Sequence, residues 1–170
     1  MNAYILIGGR SRRMGTSKSE LFLHRVVAAA TLVFDQVLAV QRFAGPSANI
    51  QTIFEEEHEG EGAVFGVARA LRDANDRAFI LAVDYPFITA DILRFLREDG
   101  RVPMWDGRAQ PLCAAWDTNA LPVIEERIAR GALDLHGLID REMIPESELR
   151  ARFEGEPLRN VNTPEEWHGQ

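Results

Sequence analysis

Short apolar runs recur along the chain with helical patterns between them. Residues 3–7 are apolar throughout, residues 37–40 form a shorter run, and Thr52–Phe54 reads as a short third strand. Residues 79–83 give the clearest run, closed by Asp84, Tyr85 and Pro86. Unbroken runs of this length suit strands buried on both faces of a parallel sheet. Leu21, Val26, Val27, Ala30 and Val33 follow at helical spacing, with Ser19 as the expected N-cap. Further helices are expected over residues 62–71, from Thr89 or Asp91 through Leu96, over 118–130 and over 134–141. Asp106-Gly107 lies between residues 102–105 and 110–116, which predicts a hairpin. A short strand at 158–161 and a helical turn after Pro164 complete the pattern.

Strands alternating with helices predict an α/β fold. The expected architecture is one domain over residues 1–170, with a Rossmann-like, mainly parallel sheet flanked by helices and a late antiparallel hairpin. At 170 residues and 46% hydrophobic content the chain can bury a full core. Its formal charge of -7 argues against a nucleic-acid partner, which would favour a basic face. The apolar run at 3–7 is too short for a signal core or membrane span, so a cytoplasmic protein is expected. Cys113 has no disulfide partner, and His24, His58, His136 and His168 show no metal-ligand spacing. Cys113 therefore reads as a small buried residue, and Trp105, Trp116 and Trp167 as packing residues.

Against this acidic background, residues 8–18 concentrate cations and glycines. Gly8, Gly9 and Gly15 leave room for backbone N–H groups to approach an anion, while Arg10, Arg12, Arg13 and Lys18 add charge. A strand feeding such a loop points to a nucleotide triphosphate. The P-loop spacing is absent, because five residues separate Gly9 from Gly15 and Lys18-Ser19 comes two residues late. The dinucleotide fingerprint fails too, since Gly8 and Gly9 are adjacent. Ligands of such sheets bind beyond the carboxyl ends of the strands, where residues 8–18, 55–66 and Asp84 are expected to converge.

The stretch with Leu6, Gly8, Gly9, Ser11, Arg13, Met14, Gly15 and Lys18 resembles the opening motif of the molybdenum cofactor guanylyltransferase family. Four further segments resemble the family's in order: Gly62 to Gly66, Asp84-Tyr85-Pro86, Gln110-Pro111-Leu112, and Asn160-Val-Asn162-Thr-Pro164-Glu. The chain departs from the pattern at Ile7, Ala63 and Phe65, and carries Glu55 where the family more often has aspartate.

The resemblance implies transfer of GMP from GTP to the terminal phosphate of molybdopterin cofactor, with release of pyrophosphate. It implies Arg13, Lys18 and Asp84 as catalytic residues, with Asp84 the ligand of Mg²⁺. Leu6, Gly8, Gly9, Ser11, Gly15, Lys18, Glu55 and Gly62 would bind the nucleotide. A carboxylate at Glu55 can accept both N1–H and the 2-amino group of guanine, a donor pair that cytosine lacks. Arg108, Gln110, Asn160 and Asn162 would face the acceptor. Implied partners are GTP, the molybdopterin cofactor and proteins that deliver it, with no nucleic acid and no membrane, and the enzyme a monomer or weak oligomer. Two alternatives stay open: a related transferase using CTP or a sugar phosphate, and a non-catalytic GTP- or cofactor-binding protein of the same fold.

Overall fold

The computed structural model describes residues 1–7, 16–45, 48–56, 62–140 and 142–161, with only the backbone described for 16–21. Five strands form the main sheet: β1 (Asn2–Ile7), β2 (Val37–Gln41), β3 (Gln51–Phe54), β4 (Arg77–Ala82) and β7 (Cys113–Asp117). Their order is β3-β2-β1-β4-β7, parallel except for β7, which runs antiparallel to β4. Strands β5 (Val102–Trp105), β6 (Arg108–Ala109) and β8 (Met143–Ile144) form a smaller sheet.

Both faces of the main sheet are covered, which is why its strands are apolar at successive positions. Ala3, Ile5, Phe79 and Leu81 face one cluster, built with α1 (Thr16–Thr31) and α3 (Ala90–Asp99). Within it the rings of Phe34 and Phe79 lie 4.8 Å apart. Tyr4, Leu6, Ala78 and Ile80 face the other cluster, with α2 (Ala63–Asp73) and α4 (Leu121–Ala129). The pleat sends alternate side chains to opposite helix layers. Ile7 packs against the first cluster from a half-buried position.

The register brings the carboxyl ends of the parallel strands to one edge: Ile7 lies opposite Gln41, Gln41 opposite Phe54, and Leu6 opposite Ala82. The chain moves outward from β1 through β2 to β3 and then crosses back to β4, so the switch point lies between β1 and β4. Glu55 and Asp84 both follow strand ends at this edge.

Several elements depart from the sequence pattern. Helix α1 begins at Thr16, so Ser19 lies in its first turn rather than capping it. Asp106 and Gly107 do make a hairpin turn, with φ of 49° and 68°. Its second strand is only Arg108–Ala109, however, paired with Met104–Trp105. Pro111 has no N–H to continue that ladder, and the buried run 113–116 pairs with β4 instead.

The helix expected at 134–141 reduces to a 3-10 turn over His136–Leu138. There the Asp134 carboxylate accepts the Gly137 N–H at 2.9 Å, a local bond that competes with helix formation. Residues 158–161 form no strand, though Leu158 and Val161 are buried. The helix α5 (Glu146–Arg152) has no counterpart in the apolar pattern, since Leu149 alone among its residues is buried. The turn expected after Pro164 lies outside the described residues. Cys113, Trp105 and Trp116 are buried as expected, and Trp167 lies outside the described residues.

Thr89 caps α3 by accepting from Ile92 N at 3.5 Å, and Gly100 closes the helix with φ of 78°. Replacing Thr89 with alanine should lower stability by about 0.5–1 kcal/mol, the small end of N-cap losses because the bond is long. A urea titration at unchanged m-value checks this, and turnover should be unaffected.

Candidate active site

Glu55 directly follows β3, and its N–H donates to the Gln41 carbonyl at 2.9 Å. Arg69 of α2 donates to the preceding carbonyl, Phe54 O, also at 2.9 Å. These bonds hold the strand end while the Glu55 side chain turns toward α2. A Cβ placed on Gly66 would lie 3.1 Å from Glu55 Oε1 and 3.1 Å from Leu6 Cδ2. The bare glycine thus lets a carboxylate and an apolar side chain crowd against the first turns of α2. Gly62 precedes that helix in extended conformation and packs near Leu133. Leu6, Glu55 and Gly66 therefore meet at one point, with Gly62 one helical turn away.

Asp84 sits just beyond β4, and Val161 N donates to its carbonyl at 2.9 Å. That single main-chain bond ties residues 160–161 to the strand end without forming a ladder. The Asp84 carboxyl is pushed up to about 6 by burial, partly offset by a hydrogen bond from the Asn160 side chain. Its Oδ1 is buried without a hydrogen-bond partner among the described residues. Burial, reinforced by the Asp84 charge, also raises the Tyr85 phenol and the Cys113 thiol.

A buried carboxylate oxygen with no partner is costly unless something else satisfies it. The group offered here is the Asp84 carboxylate, to which the Asn160 side-chain amide donates a hydrogen bond. Hard oxygen donors of this kind suit a small divalent cation that keeps its remaining positions for phosphate oxygens and water. Among the described residues no group of three or more His, Cys, Asp or Glu forms a complete protein cage. One carboxylate at the mouth of a substrate site fits a cation shared with substrate.

Beside Asp84 opens a cavity of about 560 Å³. Arg108, Gln110 and Asn160 line it together, as do Tyr85, Trp105 and His136. Arg108 and Asn160 are exposed at its rim, whereas Tyr85 and Trp105 form buried wall. Arg150 of α5 stacks 4.3 Å from the Trp105 ring centre. The cavity thus combines apolar wall with a cation and amides, a lining suited to a flat polar ligand carrying an anionic group.

Gly8, Gly9, Ser11, Arg13, Gly15 and Asn162 lie outside the described residues. Lys18 lies in the first turn of α1, where only the backbone is described. Tyr85, Gly66 and His136 were not singled out as site residues in the sequence. Tyr85 lies inside the Asp84-Tyr85-Pro86 segment, and Gly66 ends the Gly62 to Gly66 segment. No local pattern marked His136, which reaches the cavity only because residues 133–138 fold back as its wall.

The model of the MobA-like NTP transferase domain matches residues 3–143. The chain belongs to this family. One relative, a protein of Carboxydothermus hydrogenoformans named "Probable molybdenum cofactor guanylyltransferase", is 29% identical over 96% of this chain and 91% of its own length. A Mycobacterium avium protein of the same name is 30% identical over 94% and 89%.

Among solved structures, molybdopterin-guanine dinucleotide biosynthesis protein A of Archaeoglobus fulgidus superposes with a TM-score of 0.78 at 24% identity. The overlap covers 98% of this chain and 94% of that one. A 2-C-methyl-D-erythritol 4-phosphate cytidylyltransferase of Thermus thermophilus also superposes, at TM-score 0.62 and 18% identity, over 97% and 94%. These likenesses establish the nucleotidyltransferase fold. Relatives and neighbours that share this fold carry both guanylyltransferase and cytidylyltransferase names, so the fold by itself does not fix the base.

Proposed function

We propose that this protein is a magnesium-dependent molybdenum cofactor guanylyltransferase. It transfers GMP from GTP to the terminal phosphate of molybdopterin cofactor and releases pyrophosphate. The observation that carries the reading is a convergence at the switch-point edge. There Glu55, a carboxylate able to accept a purine's donor pair, and Asp84, with one buried oxygen unpartnered among the described residues, both follow strand ends, and an amphipathic cavity opens beside Asp84. The names of the curated relatives support the same activity.

In this mechanism Leu6 and Gly62 bound the base, and the Glu55 carboxylate accepts N1–H and the 2-amino group of guanine. Gly8, Gly9, Ser11 and Gly15 are assigned to the triphosphate. Arg13 and Lys18 offset the charge that builds at the α-phosphorus. Asp84, ordered by Asn160, would hold the Mg²⁺, which when bound would neutralise triphosphate oxygens and the pyrophosphate leaving group.

Arg108, Gln110 and Asn160 form the acceptor side. An oxygen of the acceptor phosphate forms a bond to the α-phosphorus while the bond to the β-bridging oxygen breaks. That electron pair leaves with pyrophosphate. The nucleophile is already anionic, so no general base and no covalent enzyme intermediate are required. The residues supply position and charge.

The same reading treats residues 1–170 as one domain acting in the cytoplasm. No helix among the described residues is long and apolar enough to cross a membrane.

Coupled detection of pyrophosphate tests the proposal. Purified protein with GTP, Mg²⁺ and molybdenum cofactor should release pyrophosphate only when all three are present. Absence of release, or release with CTP in place of GTP, overturns it.

A further inference from the structure

Tyr85 directly follows the Asp84 carboxylate and is 2% exposed. Its hydroxyl donates to Gln110 Oε1 at 2.9 Å. Gln110 Nε2 in turn donates to the carbonyls of Trp105 at 3.0 Å and Arg108 at 3.2 Å. These two carbonyls flank the Asp106-Gly107 turn, so one amide grips both strands of the hairpin. The Gln110 main chain is held as well, with its N–H on Pro103 O at 2.8 Å and its carbonyl accepting Cys113 N at 3.0 Å.

The side-chain amide of Gln110 is thus committed on both sides. Its oxygen is taken by the phenol and its hydrogens by main-chain carbonyls. It borders the cavity, yet its hydrogens already have partners inside the protein. What it provides is a rigid tie running from the residue after Asp84, through the hairpin, to Arg108 on the cavity rim.

We propose that Tyr85 and Gln110 act as a positioning pair that sets the spacing between the Asp84 carboxylate and the Arg108 face of the acceptor cavity. This rests on the guanylyltransferase reading, in which Asp84 anchors the triphosphate end and Arg108 meets the acceptor. Displacement demands that the attacking oxygen and the α-phosphorus sit in near-attack geometry, and a shift of about 1 Å in such geometry is felt strongly in rate. Neither Tyr85 nor Gln110 need touch the reacting atoms. Their effect passes through Arg108.

Tyr85→Phe keeps the ring and its packing but removes the donor. Steady-state kinetics with each substrate varied in turn should show kcat/KM for the acceptor falling about tenfold, with KM for GTP within about twofold of wild type. Because the two residues act as one unit, Tyr85→Phe combined with Gln110→Leu should be no worse than Gln110→Leu alone. Equal losses toward both substrates, or additive losses in the double variant, overturn the proposal.

Amide hydrogen exchange supplies a readout independent of activity. Tyr85→Phe should speed exchange at residues 105–110 while leaving β1 and β4 protected as in wild type. Unchanged exchange at 105–110 overturns the tie even if the wild type proves inactive on these substrates. An inactive wild type with the expected exchange pattern overturns only the guanylyltransferase reading.

Discussion

Replacing Asp84 with asparagine should lower kcat on the order of 10³-fold at saturating Mg²⁺ while making the metal-free protein more stable at neutral pH. The rate loss follows from removing the charged oxygen proposed to hold the cation. Even second-sphere partners of metals cost 10–100-fold, and a direct ligand should cost more. The stability gain follows from burial. The Asp84 carboxyl titrates near 6 in the folded chain, against 3.8 for an unperturbed aspartate. A folded value raised in this way favours the native state below the unfolded pKa, and the advantage is lost as pH rises through the folded pKa.

In chelator, the wild type should therefore lose stability between about pH 4 and 6, by about 3 kcal/mol at the upper bound. Asp84→Asn carries no such charge and should escape the loss. Thermal melts in EDTA should show the variant above wild type at pH 7 and level with it at pH 4. A variant that melts below wild type at pH 7 would count against the orphaned-carboxylate account.

The second large effect concerns the base. Glu55→Gln keeps size and packing against Gly66 but replaces a two-oxygen acceptor with one oxygen and one donor. One guanine N–H would lose its partner and the other would keep a neutral one. Bonds to charged acceptors contribute about 1.5–3 kcal/mol, so kcat/KM for GTP should fall about 10²-fold. The reaction with CTP, expected to be slow in the wild type as well, should change by no more than about threefold, because cytosine lacks the donor pair. A uniform loss across all four nucleotides would instead assign Glu55 to packing at the β3 end.

The central strands β1, β2 and β4 were legible because they are buried on both faces. Residues such as Ala3–Ile7 and Phe79–Ala82 must be apolar whichever way they point, and the pattern needs no tertiary knowledge. The Asp106-Gly107 turn was equally local, since positive φ at both positions has its own sequence signature.

The destination of residues 110–116 was not local. Whether Cys113–Trp116 pairs with β5 or with β4 depends on Pro111 ending one ladder and on β4 having an open edge far away in sequence. Residues 158–161 looked like a strand because Leu158 and Val161 are apolar. Their burial serves one bond to Asp84 rather than a ladder. The helix at 146–152 hides because its residues are mostly charged and it packs through Leu149 and the Arg150–Trp105 stack.

The candidate site divides in the same way. Glu55, Asp84, Arg108 and Asn160 were marked by motif order, because their chemistry sits in short, spaced segments. Gly66 mattered for an absence, since the missing Cβ admits Glu55 and Leu6, and only geometry reveals what fills that space. Tyr85 and Gln110 are 25 positions apart, and their bond depends on the hairpin folding back over the β4 end. His136 reached the cavity through the fold-back anchored by Asp134 and Arg127, whose guanidinium bonds the Asp134 carboxylate at 2.6 Å.

The central claim is that the α-phosphate of GTP, with its guanosine, ends on the molybdopterin phosphate. The most direct measurement uses GTP and CTP in equal amounts with Mg²⁺ and molybdenum cofactor. One nucleotide at a time carries a radiolabel at the α-phosphate, and the cofactor product is then isolated. Label should appear in the product from GTP and little from CTP, with one pyrophosphate released per label incorporated. Label transferred from CTP in preference to GTP, or none transferred from either while the nucleotide still binds, would contradict the claim.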